Sequence, residues 1–123
     1  MKKVIVIDDE LVNRKLTFSY LSELGYTDDE ILMFSSGKEF VSNLSSIKKD
    51  EIGYILLDIY MPEITGVDVI EALQNSDLKD IPVIVITTDD KLRSEIERAV
   101  DKFVVRPVSF NDFIKVISTY AID

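Results

Sequence analysis

The sequence predicts an α/β fold in which a five-stranded parallel sheet is doubly wound, with five helices covering its two faces. Five short apolar runs rich in branched residues alternate along the chain with five stretches of helical spacing. Consecutive parallel strands need crossover connections, and right-handed crossovers place helices on both faces of such a sheet. The length of 123 residues, without a linker or a repeat, predicts one domain over residues 1–123.

The five predicted strands are short and are bounded by charged residues, glycine, proline or hydroxyl residues. They cover residues 4–7, 31–34, 54–57, 83–86 and 103–105. The first, third and fourth show no polar alternation, which is typical of parallel strands that are covered on both faces.

Helical spacing of apolar residues predicts a helix after each strand, and capping signals mark several helix ends. Gly25 is a good C-terminal cap for the first helix, and Ser36 with Glu39 fits a capping box at the start of the second. The other three helices are expected to begin near Thr65, at Asp89 or Asp90, and at Ser109. The fourth helix would use Leu92, Ile96, Ala99 and Val100 as its apolar positions.

Composition excludes several classes of function. The chain has no cysteine and no histidine, so it offers no disulfide, no thiolate metal site, no imidazole base and no phosphohistidine of its own. Its 23 acidic and 14 basic side chains leave a net charge of −9, which argues against nucleic acid as a partner and favours basic protein surfaces or cations. No apolar run approaches the ~20 residues of a membrane helix, and no signal peptide is evident, so we expect a cytoplasmic protein.

Aspartate, threonine or arginine side chains follow four of the five predicted strands. Asp8 and Asp9 follow the first strand, Asp58 the third, Thr87 the fourth and Arg106 the fifth. Because parallel strands end at one edge of a sheet, these side chains can converge in one cleft. Two carboxylates about 4 Å apart repel by about 4 kcal/mol at an effective dielectric constant of 20, and a cation would relieve that repulsion. Three oxygen donors without nitrogen or sulfur suit Mg²⁺ or Mn²⁺.

Each of these residues also has an ordinary structural interpretation. An acidic pair after a strand is usually a solvated loop or a helix cap, a threonine there is a strand former, and an arginine before proline is most often on the surface. Because such a residue follows four strands at the same edge of the sheet, a functional site explains the pattern better than four separate explanations.

The motifs at these strand ends resemble the receiver domain of bacterial two-component response regulators. They are VIVIDD at residues 4–9, LLDIYMP at 56–62 followed by Gly66, IPVIVITT at 81–88 and VVRP at 104–107. The resemblance covers essentially the whole chain and is closest to single-domain, chemotaxis-type regulators. It implies a flavodoxin-like sheet with strand order 2-1-3-4-5.

The resemblance also implies a phosphorylation and metal site. Asp58 would accept a phosphoryl group from a phosphohistidine on a sensor histidine kinase or a histidine phosphotransfer protein. Asp9, Asp58 and the backbone carbonyl of Tyr60 would bind Mg²⁺, and Asp8 would act mainly through bound water. The protein would then catalyse only its own phosphorylation and dephosphorylation, and it would signal by docking on a downstream effector protein.

Three further positions carry family roles in the same way. Thr87 would bond a phosphoryl oxygen after transfer, and Phe103 would be the aromatic rotamer switch, although an aromatic residue at a strand end is more often plain core. Arg106 stands where the family has a lysine. It either replaces that lysine with altered geometry or points outward and impairs the site. The residue before Pro107 is a candidate for a cis peptide bond.

The segment between Thr88 and Arg106 is shorter than the family's usual length, so we expect a shortened or shifted fourth helix. Thr88 is also larger than the small residue often found there. These departures leave open a degenerate receiver, an interaction module that is no longer phosphorylated. A flavodoxin-like cofactor binder, an aspartyl phosphatase and a P-loop nucleotidase fit poorly, because their anion loops or second acid are missing.

Overall fold

The computed structural model describes residues 2–88 and 90–121 and shows a parallel sheet of five strands in that part of the chain. The strand order is 2-1-3-4-5, as the resemblance implies, and every neighbouring pair is parallel. Helices follow the strands in alternation, which confirms the predicted α/β class.

The strands and helices have the following bounds. The strands are β1 Lys3–Ile7, β2 Ile31–Phe34, β3 Ile52–Leu57, β4 Val83–Thr87 and β5 Lys102–Val105. The α-helices are α1 Leu11–Glu23, α2 Gly37–Asn43, α3 Gly66–Gln74, α4 Arg93–Ile96 and α5 Phe110–Ile117. Short 3₁₀ turns occur at Asp28–Glu30, Leu44–Ser46 and Lys49–Glu51.

The apolar core lies in two layers, one on each face of the sheet. Successive residues of a strand point to opposite faces, so β1 sends Val4 and Val6 to one layer and Ile5 and Ile7 to the other. Helices α1 and α5 cover the first layer with Leu21, Phe113 and Ile117, and helices α2, α3 and α4 cover the second with Phe40, Val69, Leu73 and Ile96. This double cover explains why the predicted strands lack polar alternation.

Capping residues set the helix ends close to the predicted positions. Thr65 and Asp68 form a reciprocal capping box at α3, and the Ser109 hydroxyl accepts the N–H of Asp112 at α5. Gly25 has a φ of 99° just after α1, a conformation that glycine adopts readily. At α2 only half of the predicted box forms: Ser36 accepts the Glu39 N–H, and the Glu39 carboxylate accepts the hydroxyl of Ser35 instead.

The fourth helix is shorter than its apolar pattern predicts, which confirms the shortened helix expected from the short segment between Thr88 and Arg106. It begins after Leu92 and ends at Ile96, while Ala99 lies in a turn and Val100 in a bend. The backbone N–H of Asp101 already donates to the carbonyl of Val83 at the start of β4, so few residues remain for the crossover. The proposed cap at Asp89 lies outside the described residues, and the Asp90 carbonyl accepts the Arg93 N–H. None of the helices in the described ranges has the length and apolar character of a membrane-spanning segment.

Candidate functional site

Backbone hydrogen bonds of the sheet continue past the strands and hold the predicted site residues at one edge. The N–H of Asp8 donates to the Phe34 carbonyl at 3.1 Å, and the N–H of Asp58 donates to the Ile7 carbonyl at 2.9 Å. On the other side, the N–H of Arg106 donates to the Thr87 carbonyl at 2.6 Å. The carboxyl ends of β1, β3, β4 and β5 therefore present their side chains into one cleft, as the sequence predicts.

Three carboxylates meet in this cleft. Asp8, Asp9 and Asp58 each offer one oxygen, and these oxygens lie within 4.8 Å of one another. Asp8 is 2% exposed and Asp58 is 7% exposed, while Asp9 is half-buried. Oxygen donors at this spacing suit a hard divalent cation, because the ion would offset repulsion that water cannot screen at such burial.

The environment of the two buried carboxylates disfavours their charged forms. Burial, followed by the negative charge of Asp8, raises the pKa of Asp58 to about 6, against the pull of the Tyr60 N–H and of Arg106. Burial also raises the pKa of Asp8, although the N–H of Glu10 and the charge of Arg106 favour its ionised form. The metal-free site therefore holds its negative charge at a cost in free energy.

Arg106 points into the cleft, so the alternative that it points outward is wrong. Its Nη2 donates to Oδ2 of Asp8 at 3.1 Å, and the side chain is 13% exposed. The peptide bond that joins it to Pro107 is cis, as the sequence suggested. Arg106 thus brings a positive charge to the same carboxylates that could hold a metal ion.

Three buried polar atoms of the described residues have no hydrogen-bond partner, and all three belong to this cleft. They are Oδ1 of Asp9, Oγ1 of Thr87 and Nε of Arg106. The Thr87 hydroxyl lies close enough to Asp58 to favour the charged form of that carboxylate. The distance and angles between the two groups, however, do not satisfy the criteria for a hydrogen bond. Because an unpaired buried polar group costs about 1–3 kcal/mol, such a cluster indicates a binding site whose ligand supplies the partners.

The loop after Asp58 depends on Gly66. Its N–H donates to the carbonyl of Ile59 at 2.8 Å, and a Cβ at position 66 would lie 2.5 Å from the Cα of Ile59 and 2.8 Å from the carbonyl oxygen of Asp58. Only glycine lets helix α3 start this close to the strand end. The N–H of Tyr60 donates to Oδ1 of Asp58 at 3.3 Å, which places the Tyr60 backbone beside the acidic cluster.

Phe103 lies two residues before the end of β5 at the cleft and is 8% exposed. It pairs in register with Val85 and packs in the layer covered by α2, α3 and α4. The guanidinium of Arg93 lies 5.4 Å from the centroid of its ring and also pairs with Glu97. Phe103 is therefore a core residue in this structure, and its role as a switch stays a prediction.

Two residues that the sequence analysis did not single out hold the loops of the cleft. Nη1 of Arg14 donates to the carbonyl of Asp8 at 2.8 Å, and the Tyr20 hydroxyl donates to the carbonyl of Val108 at 3.0 Å. Both side chains come from α1, which thus anchors the loop after β1 and the loop after β5. The position of Arg14 one turn into α1 offered a weak signal, whereas the partner of Tyr20 is 88 residues away.

The order of strands, the acidic cluster after β1 and β3, and the polar residues after β4 and β5 together define a receiver-type signalling module. Residues 4–118 match the family model of the response regulator receiver domain. The crystal structure of the response regulator protein TrrA from Thermotoga maritima, in complex with Mg²⁺-BeF, matches with a TM-score of 0.84 and 30% identity. That alignment covers 98% of this chain and 99% of the other.

Curated relatives agree with this match. Chemotaxis protein CheY1 of Helicobacter pylori is 29% identical over 109 residues, which cover 85% of each protein. The transcriptional regulatory protein PcoR of Escherichia coli is 25% identical over 122 residues, which cover 97% of this chain and 51% of PcoR. The chain therefore spans about half the length of that regulator. It belongs to the response regulator receiver domain family of two-component systems, whose members are signalling modules and not classical enzymes.

Proposed function

We propose that this receiver domain accepts a phosphoryl group on Asp58 in a reaction that depends on a divalent cation. The observation that carries the proposal is the set of unpaired buried atoms around Asp58. Oγ1 of Thr87 and Nε of Arg106 are donors that an anionic oxygen could satisfy, and Oδ1 of Asp9 is an acceptor that a cation could satisfy. An aspartyl phosphate with its metal ion supplies both kinds of partner at once.

The residues present fit Mg²⁺ or Mn²⁺. Asp9 and Asp58, with the backbone carbonyl of Tyr60, would hold the ion, and Asp8 would contribute through bound water. The tight grouping of the three carboxylates supports this assignment, and so does the Mg²⁺-BeF complex of the Thermotoga relative. When bound, the ion supplies charge neutralisation for the nucleophile and for the phosphoryl oxygens.

The proposed chemistry is a phosphoryl transfer from nitrogen to oxygen. A carboxylate oxygen of Asp58 forms a bond to the phosphorus of a phosphohistidine, the P–N bond breaks, and the released imidazole takes up a proton. The chain has no histidine, so the donor belongs to a sensor histidine kinase or a histidine phosphotransfer protein. The Thr87 hydroxyl and the Arg106 guanidinium would then bond the phosphoryl oxygens.

Helix α1 offers a surface for that partner. Leu11, Val12 and Leu16 are large apolar side chains that stay exposed, and α1 begins two residues after Asp9. A protein that covers these side chains would bring its phosphohistidine to the mouth of the cleft. The burial of apolar area would contribute to binding, and the net charge of −9 disfavours nucleic acid as a direct partner.

The proposed output is a change of shape on the side of the sheet that carries Phe103, read by a downstream effector protein. New bonds from Thr87 and Arg106 to the phosphoryl group would favour a second packing of this region. We place the protein in the cytoplasm with the kinases it would serve. No feature of the described cleft favours the degenerate alternative, because all its predicted polar residues face the same space.

Incubation with acetyl phosphate or phosphoramidate and Mg²⁺, followed by intact-mass spectrometry, tests the proposal. We expect one added phosphoryl group in the wild type and in Asp80→Asn, which removes an exposed carboxylate just before β4, at the opposite edge of the sheet. We expect none in Asp58→Asn. An unmodified wild type, or single modification that persists in Asp58→Asn, contradicts the assignment.

A further inference from the structure

Both carboxylate oxygens of Asp8 are already bonded to donors of the protein. Oδ1 accepts the N–H of Glu10 at 3.0 Å, and Oδ2 accepts Nη2 of Arg106 at 3.1 Å. Asp8 is 2% exposed, so little water reaches it. The deepest carboxylate of the cluster is thus neutralised from within the chain, whereas Oδ1 of Asp9 has no partner.

We propose that Arg106 is the resident cation of the acidic cleft: its guanidinium competes with the divalent cation for the carboxylates and becomes a phosphoryl ligand once the ion is bound. This inference rests on the proposed function, because it assigns Arg106 a role in the same site. It goes further in giving one side chain two opposite effects, a weaker metal affinity and a stronger phosphoryl affinity.

The shape of the guanidinium allows both roles. Arginine presents five N–H donors in a planar fork, so Nη2 can hold Asp8 while Nε stays available for a second acceptor. Nε is buried and unpartnered. A lysine ammonium at this position would be a single point charge on a flexible stem. It could not hold Asp8 with one fixed donor while a second fixed donor stays available for another acceptor.

The backbone on either side of Arg106 is held in place. The Arg106 N–H bonds to Thr87, and the Val108 carbonyl accepts the hydroxyl of Tyr20 from α1. A small space lined by Asp8, Asp58, Arg106 and apolar residues of β1, β3 and β4 has a volume of about 10 Å³. That volume holds at most about one water. The Arg106 guanidinium contacts Oδ2 of Asp8 directly and is therefore the counter-ion of Asp8.

Removing the guanidinium charge should therefore change two affinities in opposite directions. In Arg106→Met the cluster loses its internal cation, and we expect the Kd for Mg²⁺ alone to fall by about tenfold. The same variant loses a charge-assisted bond to the phosphoryl mimic, so we expect the Kd for beryllofluoride at saturating Mg²⁺ to rise by about tenfold. A side chain that only supports the fold would weaken both.

The experiment measures Mg²⁺ binding by isothermal titration calorimetry and beryllofluoride binding by fluorine NMR on the full chain. The variants are Arg106→Met, Arg106→Lys and the control Lys102→Met, which removes an exposed charge from the start of the same strand. We expect wild-type affinities in Lys102→Met. Arg106→Lys keeps the charge and the fold even if Arg106→Met is unstable, and we expect its Mg²⁺ affinity to lie closer to that of the wild type.

The outcomes separate this inference from the proposed function. If the wild type and every variant ignore both Mg²⁺ and beryllofluoride, the proposed function itself is wrong. If the wild type binds both and Arg106→Met binds Mg²⁺ with equal or lower affinity, the role as resident cation is refuted while the phosphorylation site stands. An equal Mg²⁺ affinity in Arg106→Met and Lys102→Met also refutes it.

Discussion

Replacing Asp58 by asparagine should stabilise the metal-free protein at neutral pH. The pKa of Asp58 is about 6 in the folded protein, against 3.8 for the free side chain, because burial and the charge of Asp8 oppose ionisation. Between these two values the folded state binds more protons than the unfolded state, so the stability that Asp58 contributes falls as the pH rises. At about 1.4 kcal/mol per pKa unit, the loss reaches about 3 kcal/mol above pH 6.

Asparagine has nearly the same shape and stays neutral, so it avoids this loss. We expect Asp58→Asn to exceed the wild type by up to about 3 kcal/mol in free energy of unfolding at pH 7, and by little at pH 4. Any packing difference between the two side chains is the same at each pH, so the change of the difference with pH isolates the ionisation. Urea titrations followed by far-ultraviolet circular dichroism, in chelator and at steps from pH 4 to 7.5, measure it.

Asp80→Asn is the matched control, because it removes an equal charge from an exposed site at the other edge of the sheet. It should leave the difference from the wild type nearly independent of pH. Saturating Mg²⁺ should also reduce the advantage of Asp58→Asn, since the ion stabilises the charged wild-type cluster. A stability difference that stays constant from pH 4 to 7.5, or a variant that is less stable at pH 7, would refute the reasoning.

Three further changes test other parts of the cleft. Thr87→Val removes a fully buried hydroxyl that could donate to a phosphoryl oxygen, so beryllofluoride binding measured by fluorine NMR should weaken. Gly66→Ala should cost about 2 kcal/mol or more in a urea titration, since the new Cβ would lie 2.5 Å from the Cα of Ile59, whereas Gly53→Ala, with its nearest contact at 3.4 Å, should cost less. Asp9→Asn should raise the metal-free melting temperature and abolish its rise with Mg²⁺, and unchanged Mg²⁺ stabilisation would contradict the role of Asp9.

The elements of the fold were predictable because their signals are local. Branched apolar runs define the strands, and the hydroxyl residues Ser36, Thr65 and Ser109 start helices by accepting a backbone N–H three residues later. For α4 the apolar pattern extends to Val100 although the helix ends at Ile96, whereas the length of the segment correctly predicted a shortened helix. There the short connection to β5 outweighs helical periodicity, because tertiary context routinely overrides local propensity.

Which residues share the cleft was predictable from strand order alone. Once the strands are parallel, the residue after each one must lie at the same edge, so Asp8, Asp58, Thr87 and Arg106 come together without any knowledge of their contacts. Gly66 is also recognisable in the sequence as part of the motif, but the sequence does not show why glycine is required there. Only the packing of α3 against the strand end shows that a side chain there would overlap the backbone of Ile59.

The pairing of the charges in the cleft, by contrast, depends on the packing of the whole fold. Arg106 and Asp8 are separated by 98 residues, and the choice between an inward and an outward guanidinium depends on rotamers, burial and the neighbouring loops. The same holds for Arg14 and Tyr20, which reach from α1 to backbone carbonyls of the cleft loops. Periodicity and capping report only on neighbours within a few residues along the chain, whereas the pairing of buried charges depends on which groups the whole fold removes from water.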